Sequence, residues 1–182
     1  MIGVLVSGAG TNLQALLDAG LPVSAVASNT EGVQALERAE RALVPAAVFP
    51  EEDYADRDAR DAAMADWLAE HGVETVVCAG YMQLLMPRFL ARFPCINVHP
   101  SLLPSFPGLD AVGQALAAGA EETGVTVHFV DEGVDTGPVI AQERVAIEPG
   151  DTAETLYARI REVEHRLLPE AVKLYLAGAI RS

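Results

Sequence analysis

An α/β fold is the architecture the sequence predicts: a Rossmann-like, mostly parallel twisted sheet flanked by helices, with antiparallel strands in the C-terminal half. Three observations predict it. Short β-branched runs recur with helical stretches between them, as parallel strands joined by crossover helices require. A glycine-rich turn carries the first run directly into a helix. From Gly124 onward the pattern changes to alternation, which marks antiparallel strands.

The parallel runs, in order, are IGVLV, PVSAVAS, PAAVF, ETVVCAG and CINVH. Thr11 to Ala19 carries Leu13, Leu16 and Leu17 at helical spacing, and Arg57 to Glu70 carries Ala63, Met64, Trp67 and Leu68 likewise, so both read as crossover helices. The charged stretch EEDYADRDARD, which leads into the second of these, reads as a solvated helical face. Past Gly124, VTVHFV and VIAQERVAI are separated by the turn-rich DEGVDTGP and predict two antiparallel strands. A final helix is expected from about Thr152 to Ala177. Asp151 or Thr152 would be its N-cap, and Leu156, Ile160, Val163, Leu167 and Leu168 its apolar face. No internal repeat or low-complexity tract interrupts this order.

Composition narrows the class. With 182 residues and 51% hydrophobic positions, one domain spanning residues 1–182 is expected. A formal charge of −14 argues against a protein that grips a nucleic-acid backbone, because that affinity comes from many Lys and Arg contacts. Lys173 is the sole lysine, so an anionic substrate must be held by arginines, backbone N–H groups or helix ends. Cys78 and Cys95 lie in apolar stretches, resemble neither a CxxC metal site nor a disulfide framework, and read as buried structural cysteines. No uncharged apolar run approaches the roughly 18 residues of a membrane helix, and MIGVLVSG lacks a basic leader. A soluble cytoplasmic protein is the expectation.

After IGVLV the chain reads SGAGTNLQAL. Glycines permit the tight bend, and the helix N-terminus presents unpaired N–H groups with a partial positive charge that suits a phosphate. Gly8, Gly10, Thr11 and Asn12 are the candidates. The motif is neither GxGxxG nor a P-loop, and a bare structural turn is the alternative. Without the Lys and Ser/Thr of a P-loop, a monophosphate is the better ligand than a triphosphate with magnesium.

In CINVHPSLLPSFPG, Asn97 and His99 stand two apart at the carboxyl end of a strand, so their side chains share a face. Ligands bind at that end of open α/β sheets, and an amide beside an imidazole makes an oxyanion clamp. A histidine in a strand is also commonly a satisfied core residue. Pro100, Pro104 and Pro107 predict a rigid loop beyond it. Asp135, in DEGVDTGP, is by itself a turn former. Should it approach His99, its carboxylate would favour the imidazolium and orient it. His128, in VTVHFV, is either core or a partner of that pair.

At this point the motifs match a known group through nearly the whole chain. SGAGTNLQAL, the ASN at Ala27 to Asn29, AGYMQLL, INVHPSLLPSFPG, TGVTVHFVDEGVDTGPVIAQ and EHRLLP together resemble the glycinamide ribonucleotide formyltransferases, a branch of the folate-dependent formyltransferases. The resemblance implies the formyltransferase fold and a catalytic trio of Asn97, His99 and Asp135. It implies that Gly10, Thr11 and Asn12 hold the ribonucleotide phosphate and that Glu164 contacts the glycinamide part. It places the formyl donor, 10-formyltetrahydrofolate, against Met82, Gln83, Leu84, Leu85, Asn97 and the backbone from Val130 to Asp135, with Arg57 toward its glutamate tail. Members of the group can carry Arg where Gln83 stands, and LDAVGQAL after Gly108 also departs from their pattern.

Direct transfer from 10-formyltetrahydrofolate to the amine of glycinamide ribonucleotide, in purine (IMP) synthesis, is therefore expected. The expected partners are these small molecules alone, with no metal, no nucleic acid and no membrane, and the chain acting as monomer or homodimer. No cysteine nucleophile or GxSxG serine suggests a covalent formyl enzyme. The rivals are 10-formyltetrahydrofolate hydrolysis, sugar-nucleotide formylation, methionyl-tRNA formylation and a non-catalytic binding module. The tRNA reading calls for a longer chain with a basic extension.

Overall fold

The computed structural model describes residues 1–182 as two compact units, Met1–Asn97 and Val98–Ser182. The first unit contains β1 (Ile2–Val6), α1 (Thr11–Asp18), β2 (Val23–Ser28), α2 (Gln34–Arg41), β3 (Ala46–Val48), α3 (Arg57–Glu70), β4 (Thr75–Cys78), α4 (Pro87–Leu90) and most of β5 (Cys95–His99). Its strands are parallel in the order β3-β2-β1-β4-β5. Every residue of β1 and β4 is buried, as strands covered on both faces demand. The chain winds outward from β1 to β3 and then returns to lay β4 on the other side of β1. The carboxyl ends of β1 and β4 therefore flank a topological switch point, where such sheets bind ligands.

The second unit contains α5 (Ala111–Ala117), β6 (Glu122–Phe129), β7 (Val139–Ala146) and α6 (Ala153–Leu176). β6 and β7 pair antiparallel with Gly124 opposite Arg144, and the register shifts between Val127 and His128. Five parallel strands followed by an antiparallel pair are the α/β arrangement that the strand pattern predicts. Helix α6 starts at a Thr152 N-cap whose side chain accepts from the Thr155 N–H, in a reciprocal capping box. The neighbouring Asp151 instead receives the Arg159 guanidinium, which holds its carboxyl well below the usual carboxylate range.

One expectation is corrected. EEDYADRDARD is not a uniformly solvated face: Glu51–Asp53 forms a 3₁₀ turn, Asp56 caps α3, and Arg60 and Asp61 are buried. They lie on the stripe of α3 that also buries Met64, Ala65 and Leu68, so helical geometry takes them inward with it. From Thr123 to Phe129 β6 is buried throughout, polar Thr126 and His128 included. The sequence LDAVGQAL forms most of α5, with Asp110 capping it through the Gly113 N–H. Both cysteines are buried free thiols, and burial pushes the Cys78 thiol up to about 12.

Candidate active site

In the first unit, candidate residues gather at the carboxyl ends of the parallel strands. The turn after β1 is shaped by Gly10, the α1 N-cap, in the left-handed region at φ 72°. A Cβ there would lie 2.7 Å from Ala35 Cα and 2.6 Å from its Cβ. Helix α2 supports this turn: the Ala35 N–H donates to the Gly8 carbonyl at 3.1 Å, and Arg38 Nε donates to the Ala9 carbonyl at 2.8 Å. Thr11 and Asn12 open α1, whose first turn has no acidic side chain to repel an anion, and Asn12 is buried. Gly10→Ala is expected to lower unfolding free energy by about 1–3 kcal/mol, from backbone strain together with the clash on Ala35. Urea titration measures it, and a loss below about 0.5 kcal/mol would mean that the turn relaxes freely.

Ser7 joins this turn to two others. Its N–H donates to the Gly80 carbonyl at 3.1 Å, and its hydroxyl donates to Asn29 Oδ1 at 2.6 Å while accepting the Met82 N–H at 2.9 Å. The segment after β4 is thereby fixed beside the glycine turn. Within that segment Met82 and Leu84 project into solvent at 61% and 51% exposure, whereas Leu85 is buried. Gln83 Oε1 accepts from Arg60 Nη1 at 3.4 Å. Arg57 is exposed and pairs with the equally exposed Glu51 at 3.3 Å. Asn97, opposite Cys78 in the β4–β5 register, completes this row.

The second unit brings His99, His128 and Asp135 together. His99 Nδ1 lies 3.4 Å from Asp135 Oδ2, and His128 Nε2 lies 3.5 Å from Asp135 Oδ1. Each imidazole meets a carbonyl through its other nitrogen: His99 Nε2 is 2.8 Å from the Phe106 oxygen, and His128 Nδ1 is 2.8 Å from the Phe129 oxygen. A carbonyl only accepts, so these contacts assign a proton to His99 Nε2 and to His128 Nδ1. The remaining nitrogen of each ring faces the Asp135 carboxylate. Asp135 has a left-handed backbone at φ 54°, which Asp tolerates, and its Oδ2 accepts the Gly108 N–H at 2.8 Å. Burial works to raise its pKa. The His128 hydrogen bond, the Gly108 N–H and the nearby imidazoles outweigh that and hold it below its ordinary value.

A second network fixes the loop beneath His99. Thr126 Oγ1 donates to the Ser101 carbonyl at 2.7 Å and accepts the Leu103 N–H at 3.1 Å, while Ser101 Oγ donates to the Ser105 carbonyl at 2.5 Å. This orders the loop whose Phe106 carbonyl orients the imidazole. Val130 is half-buried at the end of β6. Glu164 on α6 is only 2% exposed, a buried carboxylate rather than a surface helix residue.

Residues 1–172 match the formyl transferase family. The chain belongs to this family. It is 41% identical to the phosphoribosylglycinamide formyltransferase of Haemophilus influenzae, over 99% of this chain and 89% of that protein. It is 44% identical to the trifunctional purine biosynthetic protein adenosine-3 of Chironomus tentans over 99% of this chain, but spans only 14% of that protein's length. Its structure superposes on glycinamide ribonucleotide transformylase 1 of Symbiobacterium toebii with a TM-score of 0.95 at 48% identity, covering 97% and 87% of the two chains.

Sequence reasoning missed Ser7, Arg60 and Asp61. Ser7 gives no sequence signal beyond its place in the glycine turn. Arg60 and Asp61 do give one, because positions 60, 61, 64, 65 and 68 share one helical face with Met64 and Leu68.

Proposed function

We propose that this formyl transferase moves a formyl group from 10-formyltetrahydrofolate to the amine of glycinamide ribonucleotide, as a step of purine (IMP) synthesis. The observation that carries the reading is the Asp135 carboxylate set between His99 and His128, with Asn97 two residues from His99 on the same strand. The 41% identity to a phosphoribosylglycinamide formyltransferase over most of both chains supports the substrate pair. The substrates act as free small molecules in the cytoplasm, on residues 1–182 working as one catalytic domain, monomeric or homodimeric, with no metal.

The ribonucleotide phosphate is held by the turn at Gly10, Thr11 and Asn12, and the buried Glu164 carboxylate receives the amino end of the glycinamide. Met82 and Leu84 offer exposed apolar surface to the donor's ring system, Gln83 is turned toward Arg60, and Leu85 and Val130 are further contacts for the donor. Arg57, paired only at the surface with Glu51, is the cation for the donor's glutamate tail.

The amine nitrogen attacks the formyl carbon, and the carbonyl π pair moves onto oxygen. The resulting oxyanion is stabilised by the Asn97 amide and by His99 Nδ1–H. That nitrogen is available because its 3.4 Å approach to Asp135 is longer than a well-formed hydrogen bond, whereas Nε2 is already committed to the Phe106 carbonyl. Collapse breaks the carbon–N10 bond, and the proton shed by the attacking amine passes to N10. Asp135 orients His99 from 3.4 Å and relays that proton through water.

Tetrahydrofolate formation from the donor, with and without glycinamide ribonucleotide, tests the reading. Amine-dependent turnover is expected. Equal turnover without the amine would make the chain a hydrolase of the donor, and turnover only with an amino-sugar nucleotide would move the substrate class.

A further inference from the structure

An ion pair in the first unit is almost fully withdrawn from water: the side chains of Arg60 and Asp61 are 0% and 1% exposed. Asp61 Oδ1 accepts from Arg60 Nε at 3.0 Å and Nη2 at 2.9 Å. The pair then reaches into the segment after β4 at two points. Asp61 Oδ2 accepts the Met86 N–H at 2.8 Å, and Arg60 Nη1 donates to Gln83 Oε1 at 3.4 Å.

Stability alone does not account for this arrangement. A cation in the opening turns of a helix opposes the helix dipole, and a buried ion pair gains little over apolar side chains of the same volume. The segment is also incompletely satisfied, since the buried Tyr81 hydroxyl has no hydrogen-bond partner. What the pair does determine is which side chains face outward. With Gln83 drawn toward Arg60 and Leu85 buried, Met82 and Leu84 are the side chains left exposed to solvent. Loss of the two anchors would let the segment turn and bury those apolar groups, as the hydrophobic effect favours.

We propose that Arg60 and Asp61 are positioning residues for the formyl donor: they fix the register of residues 82–86 so that Met82 and Leu84 meet its flat ring system, while touching no substrate themselves. This rests on reading the chain as a folate-dependent formyl transferase.

The test is the double variant Arg60→Met/Asp61→Asn, in which Asn keeps an acceptor for the Met86 N–H and Met fills the arginine stem's volume. Its melting temperature is expected to stay near wild type. Its KM for 10-formyltetrahydrofolate is expected to rise about tenfold, with kcat and the KM for glycinamide ribonucleotide within about twofold, the pattern of lost donor binding alone. Exchange of the Gln83 to Leu85 amides should accelerate. Arg60→Lys, which keeps one donor and the charge, should recover part of the donor KM. A folded double variant with unchanged donor KM, or with both KM values raised alike, overturns the proposal. If the double variant does not fold, Arg60→Gln, which withdraws the guanidinium from Gln83 while keeping an amide donor for Asp61, should still raise the donor KM; an unchanged value overturns the proposal equally. Binding of 10-formyltetrahydrofolate, followed by quenching of the sole tryptophan, Trp67, separates the two readings. A wild type that binds the donor without transferring its formyl group sinks the function, while the ratio of wild-type to variant Kd still decides the clamp. A wild type that binds no donor sinks both.

Discussion

His99→Ala is expected to lower kcat for amine-dependent formyl transfer by roughly 10²–10³-fold, the usual cost of removing one oxyanion donor. The loss should fall on kcat more than on either KM, because the interaction strengthens only as charge develops on the formyl oxygen. Folding should survive. The ring makes one bond to the Phe106 carbonyl, whose loss costs about 1 kcal/mol, and the loop beneath remains tied through Ser101 and Thr126. Asn97→Ala should reduce kcat by a similar order, and the double variant should lose much less than the product of the two, because both donors serve one oxygen in the proposed mechanism. Steady-state kinetics on circular-dichroism-matched proteins would check this. A His99→Ala enzyme within threefold of wild-type kcat would remove the imidazole from the chemistry.

The parallel half of the fold was legible because buried strands leave a plain signal: β-branched runs of about the right length, each followed by a helical period. Helix α3 was read to its observed bounds, and α6 to within a residue at each end. Burial inside those elements was less legible. Arg60 and Asp61 sit in a tract so rich in charge that composition outweighed their place on the Met64–Leu68 stripe. β6 shows the reverse, since polar residues alternate in its sequence yet Thr126 and His128 are buried, satisfied by specific carbonyls that no local pattern encodes. The same holds for the site. Spacing put Asn97 and His99 on one face of β5, but only the left-handed turn at Asp135 and the shift of register at His128 bring carboxylate and imidazoles together. Glu164 reads as a surface helix residue by its charge, although it stands four residues from both Ile160 and Leu168 on the buried stripe of α6.

Asp135→Asn should be the more informative of the catalytic changes, because it alters charge while sparing the backbone. Asn tolerates the left-handed conformation as well as Asp does, and its oxygen still accepts the Gly108 N–H. What disappears is the charge facing both imidazoles. About a 10²-fold or larger fall in kcat is expected, since on the proposed mechanism His99 then loses the carboxylate that faces its Nδ1 and the migrating proton loses its relay. The same substitution carries a pH signature whose sign is fixed. Burial raises the Asp135 pKa, but the His128 hydrogen bond, the Gly108 N–H and the two imidazoles lower it further, so the folded-state value lies below the unfolded one. Stability from this carboxylate is then fully present above the unfolded pKa of about 4 and is lost as pH falls through the folded value. At pH 7 the Asn variant should therefore unfold at lower urea than wild type, and the gap should close on acidification below about pH 4 as the wild-type carboxyl takes up its proton. Urea midpoints measured between about pH 7 and pH 3 would show the convergence. A gap that stays constant across that range would mean that the two histidines do not hold this carboxylate in its charged form, and would leave His99 without an electrostatic anchor.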